Sequence, residues 1–149
     1  MRVCVIVPMY NEEAIARASI ETIFGYVKHL PPIATLLIVN DGSRDRTGEI
    51  VGQLVGRTGN NNQLQMISHT VNKGYGAAIR TGIKFAIDND YNYAIFMDSD
   101  LTNHPKYLKT FYEKMLEGWD YIKATRYSKG GGVKGVGYSY LMRIAALLI

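Results

Sequence analysis

The chain has 149 residues, of which 47% are hydrophobic and 20% are charged, so its length suits one folded domain and its composition excludes a disordered chain. The net charge of +4 suits an anionic small molecule or a membrane surface, but it is too weak to predict a nucleic-acid partner. Cys4 is the only cysteine, which excludes an intrachain disulfide or a cysteine-based zinc site and favours a reducing compartment.

Apolar, β-rich segments alternate with helix-like segments along the chain. Asn11 can cap the first helix, and the acidic residues Glu12 and Glu13 follow it in the first turn, where they favour helix formation. The strand segments are apolar throughout, which is typical of strands buried on both faces. The alternation predicts an α/β, Rossmann-like fold with a mostly parallel central sheet flanked by helices. The predicted strands are 2–8, 34–40, 64–68, 93–98 and 121–125, and the predicted helices are 11–28, 44–56, 75–89 and 105–117.

A polar or glycine-rich segment follows each predicted strand. In chain order these segments are VPMYNEE, NDGSRDRT, NKGYGAA, DSD and RYSKGGG. Ligands of parallel sheets bind at the carboxyl ends of the strands, so we expect the five segments to form one site.

Some of these segments also allow a purely structural interpretation. Asp41 lies in DGS, where a turn or a helix cap would use an aspartate equally well. Gly74 and Gly76, with Lys73 ahead of them, resemble a weak phosphate-binding loop. Close helix packing explains these glycines as well, so neither segment is decisive alone.

The strongest local signal is the pair of carboxylates Asp98 and Asp100, which follows an apolar strand. In an extended segment, residues two apart point the same way, so both carboxylates would face one spot. Two like charges at such a distance repel unless a cation or a shared proton lies between them. A hard divalent ion such as Mg²⁺ or Mn²⁺ prefers oxygen ligands of this kind, and the alternative is a solvated turn.

Five stretches of the chain resemble motifs of family 2 glycosyltransferases, and they occur in the order and at the spacing typical of that family. They are VIVPMYNEE, VNDGSRDRT, NKGYGAAIRTGI, FMDSDLTNHP and ATRYSKGGG. The chain resembles this family over nearly its whole length. It is most similar to the branch that makes dolichyl- or polyprenyl-phosphate sugars. The resemblance implies a GT-A fold and a catalytic domain over residues 1–149, which we expect to be truncated at its C-terminal end.

The resemblance also implies roles for single residues in nucleotide binding. Pro8, Tyr10 and Glu12 match the motif that holds the base and the ribose. Asp41, with Ser43 beside it, matches the aspartate that contacts the nucleoside.

Further roles concern the diphosphate of the donor. Asp98 and Asp100 match the D-x-D pair, in which Asp98 also contacts the nucleotide and a Mg²⁺ or Mn²⁺ ion bridges the pair to the diphosphate. Arg126 matches a basic residue that faces phosphates, and we place Lys73 with the nucleotide-binding residues. The expected catalytic residues are therefore Asp98, Asp100 and Arg126.

The implied reaction is inverting transfer of a sugar from a UDP- or GDP-linked donor to an acceptor. A hydroxyl acceptor needs a carboxylate base, which relatives carry further downstream of D-x-D than this chain extends. Either the base has been cut off with the C-terminal part, or none is needed because the acceptor is an anionic phosphate. Residues 123–149 hold five basic residues and no acidic one, and they end in LMRIAALLI. We therefore expect a polyprenyl-phosphate acceptor at the cytoplasmic face of a membrane, although an ordinary core helix would also explain this ending.

Several alternatives remain open. Thr102 stands where lipid-phosphate enzymes of the family carry a glutamine, and Tyr140 stands where they carry a second arginine, so a glycosyltransferase with a hydroxyl acceptor is the main alternative. DSDLT also fits the signature of haloacid-dehalogenase-type phosphatases, but that motif normally follows the first strand. A non-catalytic nucleotide-binding module would keep DGS without needing the carboxylate pair.

Overall fold

The computed structural model describes residues 1–30, 33–58 and 63–124. Strands and helices alternate through these residues, and a short 3-10 turn at Pro105–Tyr107 precedes the last helix. The elements are β1 (Arg2–Met9), α1 (Glu13–Val27), β2 (Ile33–Asn40), α2 (Thr47–Arg57), β3 (Leu64–Ser68), α3 (Tyr75–Asp88), β4 (Tyr93–Phe96) and α4 (Leu108–Leu116).

The strands form one parallel sheet in the order β3-β2-β1-β4. β1 lies inside the sheet, because β2 pairs with one of its edges and β4 with the other. Residues that alternate along β1 pack on opposite faces: Val5 joins the cluster formed with α1, α2 and α4, whereas Ile6 joins the cluster formed with α3. The predicted α/β fold with helices on both faces is confirmed, and the continuous apolar run of β1 is explained by its burial on both sides.

The predicted strand at 121–125 is wrong over residues 121–124, which form no strand, and residue 125 lies outside the described residues. Tyr121 is 79% exposed, and within this segment Ile122 packs against the core. The residues favour a strand locally, but strand formation depends on burial and on a pairing partner.

The predicted cap of the first helix is also wrong. Asn11 has a left-handed backbone with φ +54°, and α1 begins only at Glu13, without a side-chain cap from Glu12. The Asn11 side chain instead accepts a hydrogen bond from the backbone N–H of Arg44. None of the described helices combines the length and the apolar character needed to cross a bilayer.

Candidate active site

A cleft of about 380 Å³ opens at the carboxyl ends of the strands. Its lining comes from the end of β1, from the segments after all four strands and from the start of α3, as expected for a parallel sheet. Most of the residues singled out in the sequence lie together in it: Pro8, Tyr10, Glu12, Asp41, Asp98 and Asp100. The rest of the lining is formed by Met9, Asn72, Tyr75, Ala78 and Ser99.

The remaining predicted residues lie elsewhere. The Ser43 hydroxyl accepts a hydrogen bond from the backbone N–H of Asn11 at 3.0 Å, and the backbone N–H of Lys73 donates to Asp41 Oδ1 at 2.9 Å. Neither Ser43 nor Lys73 is among the residues that line the cleft, so the contacts seen for both hold loops in place. Arg126 lies outside the described residues.

The loops after β1 and β2 are joined by reciprocal hydrogen bonds. The first backbone N–H groups of a helix have no partner within it, and at α1 these groups are bonded by side chains of the other loop. In return, side chains of the first loop accept from backbone N–H groups of the second. The bonds are Glu12 N to Thr47 Oγ1 (2.8 Å), Glu13 N to Asp45 Oδ2 (3.0 Å), Arg44 N to Asn11 Oδ1 (2.9 Å) and Arg46 N to Glu13 Oε2 (2.9 Å).

Gly42 brings the turn after β2 against the loop after β3. Its φ is +68°, and a Cβ built on it would lie 2.2 Å from the backbone carbon of Val71 and 2.4 Å from the backbone nitrogen of Asn72. Only glycine fits this contact, which places Asn72 beside Asp41 in the lining of the cleft.

Asp41 is almost fully buried, at 3% exposure, and it has defined partners. Its Oδ1 lies 2.6 Å from His69 Nδ1 and accepts from the backbone N–H of Lys73. Burial raises the pKa of Asp41, but the hydrogen bonds from His69 and Lys73 outweigh burial and hold that pKa below its usual range. Asp41 is therefore an ionised acceptor at the wall of the cleft.

Sequence reasoning assigned no role to His69. The missing signal was the strand register: Asn40 pairs with Ser68, so the residues that follow them, Asp41 and His69, leave the sheet side by side. Tyr75 was missed as well. It lines the cleft, and burial, together with the charge of Asp98 and a hydrogen bond to it, raises the pKa of the Tyr75 phenol.

Asp98 precedes and Asp100 lies in a turn after β4, so the extended segment predicted for them is wrong. Leu101 leaves this turn with φ +60°, a conformation that the sequence does not signal. The turn is anchored from inside, because the hydroxyl of Ser19 on α1 donates to the carbonyl of Ser99. Both carboxylates still line the same cleft.

The side chains of this pair have local partners. Asp100 Oδ1 accepts from the backbone N–H of Thr102 at 2.9 Å and from its hydroxyl at 2.7 Å. Asp98 Oδ2 lies 3.4 Å from Asn103 Nδ2. Both aspartates are exposed, so their charges can be met by water or by a ligand.

The chemistry of this pair fits a hard divalent cation. Carboxylate oxygens are the ligands that Mg²⁺ and Mn²⁺ prefer. Within residues 1–30, 33–58 and 63–124, no group of three or more His, Cys, Asp or Glu side chains is arranged to hold a metal ion. Two carboxylates would therefore share the ion with oxygens of a bound phosphate and with water, as is usual for Mg²⁺.

Comparison with known proteins gives consistent sequence matches. Residues 4–147 match the sequence pattern of Glycosyl transferase family 2. Over 133 residues the chain is 31% identical to polyprenol monophosphomannose synthase from Mycolicibacterium smegmatis, a match that covers 89% of the chain and 48% of that relative. It is also 31% identical over 127 residues to an uncharacterised glycosyltransferase from Synechocystis, covering 85% of the chain and 38% of the relative. The chain thus spans half or less of the length of these relatives.

Solved structures show the same fold. Residues 1–349 of S. aureus TarS in complex with UDP-GlcNAc superpose with a TM-score of 0.58 at 20% identity, over 87% of this chain and 39% of TarS. The complex of the same protein with UDP gives a TM-score of 0.53 at 23% identity, over 74% of this chain and 32% of the other. The fold is therefore GT-A, as the resemblance implied. With the sequence match over residues 4–147, this shows that the chain belongs to glycosyltransferase family 2.

Proposed function

We propose that this chain binds a UDP- or GDP-linked sugar and takes part in transferring that sugar to an acceptor with inversion at the anomeric carbon. The observation that carries the proposal is the cleft, where residues from separate motifs meet: Tyr10 after β1, Asp41 after β2, and Asp98 and Asp100 after β4. Membership of family 2 and the names of the relatives support it.

We call the part of the cleft lining around Asp41 the wall at Asp41, and the part around Asp98 and Asp100 the wall at Asp98. These two parts suit the nucleoside and the diphosphate of such a donor. Asp41 offers an ionised acceptor to the N–H or O–H groups of a nucleoside. Tyr10, 40% exposed, offers aromatic surface in the same cleft, against which a base can stack. The diphosphate would then lie toward Asp98 and Asp100.

In the proposed reaction the acceptor oxygen bonds to the anomeric carbon from one face while the bond to the diphosphate oxygen breaks on the other. The leaving nucleoside diphosphate gains the negative charge. Asp98 and Asp100 would hold a Mg²⁺ or Mn²⁺ ion, which supplies positive charge to the diphosphate when bound. Arg126, outside the described residues, would supply a further cation at the phosphates.

The proposed acceptor is a polyprenyl phosphate, which is anionic and needs no base to remove a proton. The mycobacterial relative named as a polyprenol monophosphomannose synthase supports this choice. The basic stretch at 123–149 supports a site at the cytoplasmic face of a membrane, and nearly all of that stretch lies outside the described residues. The phosphatase alternative loses support, because DSDLT follows β4 and not β1.

The first experiment is thermal-shift and calorimetric screening of UDP, GDP and their sugars, with Mn²⁺ and with a chelator. One nucleotide should raise the melting temperature, and more so with the metal. If no nucleotide binds under either condition, the proposal fails.

The second experiment assays the full-length protein with a polyprenyl phosphate and with soluble sugars as acceptors. Transfer to the lipid phosphate is expected. Transfer to a soluble sugar alone would end the lipid assignment and favour the hydroxyl-acceptor alternative.

A further inference from the structure

A histidine behind Asp41 joins this carboxylate to helix α3. His69 Nδ1 lies 2.6 Å from Asp41 Oδ1, and His69 Nε2 lies 2.8 Å from Thr81 Oγ1. The side chains of His69 and Asp41 are 7% and 4% exposed. The contact therefore connects the ends of β2 and β3 to α3 in a place that water hardly reaches.

The two partners of His69 define where the imidazole carries its proton. An ionised carboxylate only accepts hydrogen bonds, so Nδ1 must carry the proton that is shared with Asp41. In the neutral imidazole, Nε2 is then the acceptor, and the Thr81 hydroxyl donates to it. The Asp41 carboxylate thus selects the tautomer, and the Thr81 hydroxyl, which can donate or accept, satisfies Nε2 and holds the ring.

Asp41 is also held by the backbone of the loop after β3. The N–H of Lys73 donates to Oδ1 at 2.9 Å, and the N–H of the next residue, Gly74, donates to Asn72 Oδ1. A carboxylate has about four acceptor positions, so the donors from His69 and Lys73 still leave capacity for a ligand. Asp41 lines the cleft where that ligand would lie.

We propose that His69 is a positioning residue for nucleoside recognition: its Nδ1–H fixes the Asp41 carboxylate at the wall of the cleft, and Thr81 holds the imidazole ring in place through Nε2. The inference rests on the proposed function, because it needs a nucleoside at Asp41. A carboxylate that is fixed before binding loses less conformational entropy when the ligand arrives, which raises affinity. The ligand group is one that offers N–H or O–H donors, as a base or a ribose does.

The test measures binding of UDP and GDP to the chain by calorimetry in the presence of EDTA, so that a metal does not contribute. His69→Leu removes the donor and should weaken binding by about tenfold or more. His69→Asn keeps an N–H close to the Nδ1 position and should restore most of the affinity. The matched control is His29→Leu, the same substitution at an exposed histidine, which should leave binding unchanged.

A second pair of variants tests the hydrogen bond between Thr81 and His69 without removing the imidazole. Thr81→Val replaces the hydroxyl by a methyl group and should weaken binding by about threefold. Thr81→Ser keeps the hydroxyl and should restore the affinity. If His69→Leu does not fold, this pair decides the question.

A double variant separates positioning from folding. If His69 acts through Asp41, His69→Leu should cost no further affinity in an Asp41→Asn background, whereas independent effects would add. Weak binding by Asp41→Asn together with unchanged binding by His69→Leu and Thr81→Val would overturn the role of His69 and leave the proposed function standing. Failure of the wild-type chain to bind either nucleotide would remove the proposed function, and this inference with it.

Discussion

The two walls of the cleft are built in different ways. Asp41 is 3% exposed and its partners His69 and Lys73 come from residues 28 and 32 positions away. Asp98 and Asp100 are exposed; Asp100 bonds to Thr102, two positions away, and Asp98 contacts Asn103, five positions away, and Tyr75 on α3. The wall at Asp41 is therefore buried and organised by tertiary contacts, whereas the carboxylates of the wall at Asp98 are accessible to a ligand.

The largest expected effect lies on the wall at Asp98. Asp98→Asn or Asp100→Asn should lower the turnover of the full-length enzyme by about a hundredfold or more, since each removes a charge that would hold the metal against the leaving diphosphate. Because both side chains are exposed, the melting temperature should hardly change. Steady-state kinetics at several Mn²⁺ concentrations check this prediction. Equal nucleotide affinity in chelator and in Mn²⁺ would refute the metal role.

The second effect concerns the contact that shapes the wall at Asp41. Gly42→Ala should lower the free energy of unfolding by about 2–4 kcal/mol, because the added methyl meets the backbone of Val71 and the left-handed φ adds strain. Gly118→Ala is the control: its φ is +89°, but a Cβ there meets nothing within 4 Å. Urea unfolding of both variants isolates the clash from the backbone strain. Equal losses would mean that the loop after β3 moves away freely.

The third effect is a dependence of stability on pH. The pKa of Asp41 is lowered in the folded state, so its contribution to stability is present above the ordinary pKa of about 4 and is lost as the pH falls through the lower folded value. Asp41→Asn should therefore cost about 1–3 kcal/mol at pH 7, and the difference from wild type should shrink below pH 4. Asp88→Asn, which breaks an exposed pair with Lys84, is the control and should change little at either pH. A difference that is constant with pH would contradict this prediction.

The smallest effect tests how the wall at Asp98 is held. Thr102→Val removes the hydroxyl that donates to Asp100 Oδ1 at 2.7 Å and leaves the backbone N–H bond to the same oxygen. The affinity for Mn²⁺ in the presence of nucleotide should fall by about threefold, the value of one modest hydrogen bond. Thr102→Ser should behave as wild type. A loss as large as that of Asp100→Asn would show that the hydroxyl itself is required at the metal.

The pattern of apolar and polar residues along the chain is sufficient to predict the sheet and the edge that carries the site. It does not predict strand register or the backbone conformation of single residues. The apolar run of β1 and the position of polar segments after each strand suffice to predict a buried parallel sheet and one site at its carboxyl edge. The bond between His69 and Asp41 requires the register of β2 and β3, which a single sequence does not contain. Among the left-handed residues, Asn11 is of a type that favours this conformation, whereas nothing about Leu101 marks the turn it makes.

The false strand at 121–124 has another origin. Its β-branched and aromatic residues favour a strand, but the preference of a residue for a strand is mainly a preference for a half-buried, paired surface. Tyr121 has no such surface in the structure, since 79% of it is exposed. Local preference was sufficient for β2, where the same kind of residues is buried.

The reciprocal hydrogen bonds between the loops after β1 and β2 have a consequence for hydrogen exchange. Backbone amides in surface loops usually exchange quickly, whereas those of Glu12, Glu13, Arg44 and Arg46 each have a side-chain acceptor on the opposite loop. Breaking the bonds of one loop leaves the other without its partners, so we expect the two loops to open together and their amides to exchange with similar opening free energies. Side-chain hydrogen bonds thus do between these two segments what a backbone ladder does within regular secondary structure.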